Sequence, residues 1–404
     1  MRECNLSAAP LPVVSGINPS RVRVAEPVTA LQLIQTVVAG QRHRHPGDDD
    51  AAIMRRFDDG LVRLRDGTRL RPSDPLRPGT DVWFYRMPAE ERPNPFPLHE
   101  LERDAATLVV HKPPFMATLP RGDHITQTAL VRARVDWDLP DLAPAHRLDR
   151  LTRGVLLFTT RPEVRGAYQR LFEQRAVHKE YEAVTMPPPG VTLRKGDDAA
   201  LPPAAFGHSG TGDAVDRKEA GPPAAVEHPA AGGSVDREEQ CPPATFDLPA
   251  GALHPDSPPQ RLPAPTPERP WRTEHRMMKL RGHLSAHLED GEPNAVTDIT
   301  GVRVVDASEV GVAGDGPRLV WRLQPRTGRT HQLRLTMRLL GMPIVDDPIY
   351  AEISDVALHD LEEPLPYVPF IDEEDHSRPM GLTAKVLAFT DPLTGEDRRI
   401  ETPY

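Results

Sequence analysis

Cysteine is almost missing from this chain: Cys4 and Cys241 stand alone among 404 residues. That excludes a disulfide framework and a cysteine-ligated zinc site, and it fits a reducing, cytoplasmic setting. Long apolar runs are missing too. No stretch reaches the ~18 apolar residues that a membrane span needs, and the first residues lack a signal peptide's apolar segment. Hydrophobic residues make up 38% and aromatics 5%, which is low for a chain folded throughout. Proline is plentiful, at 47 residues, where about 5% of a chain is usual. Folded parts joined to long unfolded parts are the expectation.

Lysine is the last scarcity. Only six of the 49 basic residues are lysine, leaving 43 arginines, and arginine suits bidentate phosphate contacts. The net charge of −10 argues at first against a nucleic-acid partner. Its distribution reverses that reading. Residues 190–265 carry −5 and residues 352–375 carry −9, so the remainder is at +4.

Four stretches follow from composition and periodicity. Residues 1–20 read as a loose tail. Residues 21–88 read as a small basic α/β domain, with a helical "VTALQLIQTVV", an Asp66-Gly67 hairpin turn and a closing strand at Val82–Tyr85. It loosely resembles the small RNA-binding domain of a ribosomal protein. Residues 187–270 hold 18 of the 47 prolines and a decaying 20-residue repeat, "PPAAF", "PPAAV", "PPATF". Too little apolar surface is present there to bury, so this reads as a disordered acidic insertion. Such an insertion would repel nonspecific RNA. Residues 89–186 and 271–404 flank it and form one domain. Their strands and few helices predict an α+β fold with a largely antiparallel mixed sheet.

Three constellations in that domain carry possible chemistry. "AHRLDRLTRGVLLFTT" sets Asp149 among Arg147, Arg150 and Arg153, just before an apolar strand. A lone buried carboxylate is costly unless paired. The residues allow either a structural salt bridge or an ionised, reactive group. "KEYEAV" puts Lys179 and Tyr181 on one strand face, where the phenol could stack on a planar base. "PRTGRTHQLRLTMRLLG" reads as a loop and a helix over 330–341, with Thr330 as N-cap and Gly341 as the stop. Arg326 and Arg329 at the helix start suggest an anion site.

In that order, together with "LVVHKPPFMA" upstream and "LTAKVLAFTDPLTGEDRRIETP" downstream, these motifs resemble the RluA-type family of RNA pseudouridine synthases. The resemblance covers roughly 100–186 and 271–402. It implies a pseudouridine synthase fold with a central catalytic cleft, and isomerisation of uridines in ribosomal or transfer RNA. It implies neither metal nor cofactor. By the same resemblance Asp149 is the catalytic aspartate, Tyr181 packs on the target base, and Arg334 pairs with Asp149. Arg147 fills the gap left by the flipped uridine, and Lys179, Arg329, His331 and Gln332 belong to the substrate-binding motifs. The sequence departs from the family at Arg153, usually a small residue, at Thr336, Met342 and Thr383, often histidine, and at Asp346, usually glycine. These departures bear on which RNA is bound more than on the chemistry.

Two rival readings come from other classes. One is an RNA-binding protein or chaperone that uses the same cleft without chemistry. The other is a metal-dependent phosphoesterase built on Asp346 and Asp347. No membrane partner is expected, and a monomer is the default.

Overall fold

Near-continuous apolar runs such as "TLVVHK" and "GVLLFT" give strands buried on both faces. They lie side by side in a ten-stranded sheet. The computed structural model describes residues 9–41, 43–188, 245–370 and 373–403. Its sheet runs in the order Trp271–His275, Ala295–Asp306, Pro317–Pro325, His178–Thr185, Leu382–Thr390, Arg153–Thr159, Thr107–Lys112 and His99–Arg103. Two further strands pair at its flanks, Asp397–Glu401 on Leu382–Thr390 and Ala143–Pro144 on Arg153–Thr159. Neighbours are antiparallel except at the centre, where Leu382–Thr390 runs parallel to Arg153–Thr159. With the helices Ala129–Asp136, Pro162–Glu173 and Gln332–Leu339 packed alongside, the fold is α+β.

The central parallel contact requires glycine at position 154. Gly154 has φ +120, and a Cβ there would lie 2.2 Å from the Ala384 carbonyl oxygen. Any side chain would push the two strands apart, directly behind the loop that carries Asp149.

The small basic domain has a core of its own. Ile34, Val38, Ile53, Phe57, Val82 and Phe84 are among its buried residues. The Ala30–Ala39 helix starts on a reciprocal cap: the Thr29 hydroxyl accepts from Gln32 N, and the Gln32 side chain accepts from Thr29 N. The Gly67 turn closes as its sequence predicts, with Leu64 N donating to Thr68 O.

Two boundaries need correction. The tail is not loose throughout. Leu11 is buried, Tyr85 Oη donates to Pro12 O at 2.6 Å, and Arg134 Nη1 donates to Gly16 O at 2.9 Å. The C-terminal part of the expected insertion, residues 245–270, is folded. Thr245–Leu248 and Gln260–Pro263 form an antiparallel hairpin. Phe246 packs 5.1 Å from the Trp321 ring and 5.7 Å from the Trp271 ring, centroid to centroid. Two alternate residues, Phe246 and Leu248, supply the apolar face that holds the hairpin on the sheet. Residues 189–244, including most of the repeats, lie outside the described residues.

Candidate active site

Strand ends and the loops that leave them meet around one cavity of about 1190 Å³. All eight residues singled out in the sequence, from Arg147 to Arg334, line it. Arg147 and Asp149 come from the loop before the Arg153–Thr159 strand. Lys179 and Tyr181 share one face of His178–Thr185, as the alternation predicts. Arg329, His331, Gln332 and Arg334 come from the loop and first turn of Gln332–Leu339.

The lining is strongly positive. It holds ten arginines and lysines, and Asp149 is the one carboxylate among the described lining residues. Three of those cations are ion-paired: Arg150 to Glu374, Arg326 to Asp298 and Arg334 to Asp347. The other seven, Arg147, Lys179 and Arg329 among them, make no ion pair among the described residues. Repulsion between unpaired cations is tolerated where an anion is to be bound.

Asp149 is partly exposed, and its carboxylate accepts no hydrogen bond from the described residues. Its main chain is firmly held. Thr152 N donates to Asp149 O at 3.1 Å. The next carbonyl, of Arg150, accepts from Met116 N at 3.1 Å and from Lys112 Nζ at 3.2 Å. The Lys112 ammonium is fully buried and also donates to the Pro113 and Met116 carbonyls, each at 2.8 Å. Burial, then the charge of Arg150, pushes its pKa well below the ordinary lysine value. A rigid backbone therefore presents an unsatisfied carboxylate.

The arginines around Asp149 in the sequence do not all serve it. Arg150 forks onto Glu374. Arg153 Nε donates to the Thr383 hydroxyl at 2.8 Å, and its Nη2 to Val310 O at 2.8 Å. Positions 153 and 383, two of the departures from the family pattern, thus contact each other. His146 stacks on Phe172 at 4.6 Å, and its Nε2 accepts from Leu157 N. Burial, with the Lys179 charge behind it, drops the His146 pKa to about 3.

Arg334 departs from expectation. Its Nε and Nη2 each donate at 2.7 Å to the carboxylate of Asp347, not of Asp149. Asp347 also accepts from Ile349 N and Tyr350 N, both at 2.9 Å. The pair is buried, and the guanidinium lies 5.0 Å over the Tyr350 ring. Burial opposes the charge on Arg334. The hydrogen bonds and charge of Asp347, with the fields of Asp149 and Tyr350, together outweigh it and raise the pKa above the ordinary arginine value. Arg334 Nη1 makes no hydrogen bond among the described residues. A buried guanidinium takes the carboxylate that can meet it with two parallel bonds, and Asp347 sits on the adjoining turn.

The helix start differs as well. Thr330 is exposed and does not cap it. The N-cap is His331 in the left-handed region at φ +59, with no side-chain cap. Gln332 does the fixing. Its Oε1 accepts from the Thr327 hydroxyl at 2.8 Å and Arg329 N at 3.0 Å. Its Nε2 donates to Val296 O at 3.0 Å and the Thr297 hydroxyl at 2.9 Å. That spends the side chain on holding the loop. The expected anion site is likewise weakened, since Arg326 bonds Asp298 and Arg329 Nε bonds Asn294 O. His331 Nδ1 meets Tyr350 Oη at 3.1 Å. Burial, then Arg334, lowers its pKa to about 4.

Tyr181 lies partly buried between two core clusters, with its ring at the cavity wall. Burial and the charge of Asp149 raise its pKa, so the phenol keeps its proton at neutral pH. Asp346 and Asp347 turn to different arginines, Arg378 and Arg334. That divergence leaves no shared carboxylate pair for a metal-dependent phosphoesterase. No cluster of metal-ligating groups occurs among the described residues. No helix among them is long and apolar enough to cross a membrane.

The family description "RNA pseudouridylate synthase" matches residues 106–236. Over that third of its length the chain is similar to the RNA pseudouridine synthases. Similar proteins include an uncharacterized RNA pseudouridine synthase of Synechocystis, 30% identical over 147 residues, which are 36% of this chain and 50% of that protein. The chain thus spans half the length of that protein. The ribosomal large subunit pseudouridine synthase D of Xanthomonas campestris is 24% identical over 84% of this chain and 77% of its own. Among solved structures, the human RNA pseudouridylate synthase domain containing 1 overlays 78% of this chain and 86% of its own. Its TM-score is 0.38 at 20% identity.

Proposed function

We propose that this chain isomerises specific uridines in structured RNA to pseudouridine, with Asp149 as the reacting carboxylate. The observation that carries the reading is the charge pattern of the cavity: one hydrogen-bond-free carboxylate on a rigid loop, inside a wall of ten cations. Phosphates would meet the unpaired arginines and lysines, giving salt-sensitive binding. A uridine within a folded RNA must leave its stack before its ring can be reached. Arg147 is exposed and unpaired among the described residues, which suits it to fill the vacated space. The protonated Tyr181 ring would support the flipped base. The unused Nη1 of Arg334 is available to Asp149 as charge shifts during the reaction.

The reaction is balanced within the nucleotide. The bond from N1 to C1′ breaks, the uracil turns, and C5 joins C1′. The C5 proton leaves and N1 is protonated. Asp149 assists cleavage and stabilises the fragment in between. The basic small domain at 21–88 would add further phosphate contacts. Ribosomal RNA is the first substrate to test, given the name of the Xanthomonas relative, with transfer RNA beside it.

Tritium release from RNA labelled at uracil C5, prepared from cells lacking this gene, tests the reading. Release by the wild type but not by Asp149→Asn is the expected result. RNA binding without release from either RNA class would instead make this a binding protein or chaperone.

A further inference from the structure

Arg150 follows Asp149 directly and lines the same cavity. Its guanidinium is occupied by a residue 224 positions away: Nη1 donates to Glu374 Oε2 at 2.8 Å, and Nη2 donates to Oε1. A carboxylate held this way uses the same two-pronged face that arginine offers to a phosphate. Glu374 reaches this place from outside the cavity, at the end of the 352–375 segment, which has nine acidic residues and no basic ones.

The contact is built. The Glu374 side chain is 8% exposed and that of Arg150 is 24% exposed. Arg92 Nη1 donates to the Glu374 carbonyl at 3.2 Å. The adjacent Asp375 closes a turn, accepting from Ser377 N at 2.9 Å. His376 packs 5.0 Å from the Phe115 ring and 6.2 Å from the Phe96 ring. Phe115 belongs to the loop that Lys112 pins under Arg150. The turn is thus anchored on the wall that carries the site, with its carboxylate aimed at a lining cation.

We infer that Glu374 is a specificity-determining residue that occupies the phosphate face of Arg150 and must be displaced by RNA. This rests on the reading of the cavity as an RNA site. RNA that offers only phosphates meets a neutralised Arg150 beside further acids. RNA that also seats a uridine near Asp149 gains enough contacts to displace the carboxylate. With Glu374 only 8% exposed, opening the pair carries a cost that loose phosphate contacts do not repay, whereas the quarter-exposed Arg150 stays within reach of a seated RNA.

The test measures affinity of the full chain for a uridine-free oligoadenylate and for a structured ribosomal RNA transcript across a salt series. Glu374→Gln is expected to tighten oligoadenylate binding about 3- to 10-fold near 0.1 M salt. It should also steepen the salt dependence by about one released counterion. Affinity for the structured transcript should change less, so discrimination falls. In an Arg150→Gln background the same substitution should have no effect, and Glu374→Asp should stay near wild type. An unchanged oligoadenylate affinity and slope in a folded Glu374→Gln protein would overturn the inference, as would an equal gain without Arg150. A merely structural role would lower the melting temperature without tightening binding. Wild-type protein that binds neither RNA would instead overturn the RNA reading of the cavity.

Discussion

Asp149 lines the cavity, Asp347 is buried beside the lining Arg334, and the two are treated in opposite ways. Asp347 is buried and accepts four hydrogen bonds, two from Arg334 and two from main-chain N–H groups. Asp149 is partly exposed and accepts none among the described residues. A carboxylate that is fully satisfied contributes to structure, because its lone pairs are already committed. One held without partners on a rigid backbone keeps its lone pairs for something else. Folding gains little from such a group, so its presence on a pinned loop points to chemistry.

The largest expected effect separates the two directly. Asp149→Asn should lower turnover by at least about 10⁴-fold, the scale seen when a reacting group is removed. Its unfolding free energy should stay within about 0.5 kcal/mol of wild type. Asp347→Asn should do the reverse first, costing about 3–5 kcal/mol because it strands a buried guanidinium. Urea unfolding reads that loss. Replacing both partners together, Asp347→Leu with Arg334→Met, should recover much of the stability but no turnover.

Next in size is the loop that brings Arg329 and His331 to the cavity. Gln332→Ala removes four hydrogen bonds from a buried side chain. A loss of about 1–3 kcal/mol follows from the stranded partners. Hydrogen exchange should rise in residues 325–331 and stay unchanged in 146–152.

The most gradual effect is on pH dependence. His111 and His146 are held down at about 3 and His331 at about 4, chiefly by burial. The unfolded chain takes up those protons near pH 6.5 and the folded one does not. Stability is therefore intact above about pH 6.5 and declines as pH falls from there toward 4 and 3. Each histidine contributes up to about 1.4 kcal/mol per pH unit in that window. Unfolding curves from pH 7 to pH 4 check the slope, and His146→Gln should flatten it by one proton.

Much of this arrangement was legible in the sequence. The apolar runs gave the central strands, and the period-two pattern placed Lys179 and Tyr181 together on the cavity wall. Three motifs spread from 147 to 334 named eight residues that do line one cavity. Their partners were not legible. Nothing in "IVDDPIY" says that its second aspartate, and not Asp149, takes Arg334. That choice depends on a turn folding against the helix. Nothing in 352–375 says that Glu374 returns to Arg150 across 224 positions. The hairpin at 245–263 was hidden for another reason. Prolines dominate its composition, while its packing rests on Phe246, Leu248 and Leu262. Local pattern reports which face a residue occupies, whereas ion-pair choice among surplus arginines is settled only by tertiary contact.

The most direct test pairs two readings on one protein: the melting temperature and the tritium release of Asp149→Asn, measured beside wild type. The account predicts an unchanged or slightly higher melting temperature with release abolished. A variant that melts several degrees lower, or that still releases tritium at a comparable rate, would contradict the claim that Asp149 is held free for chemistry.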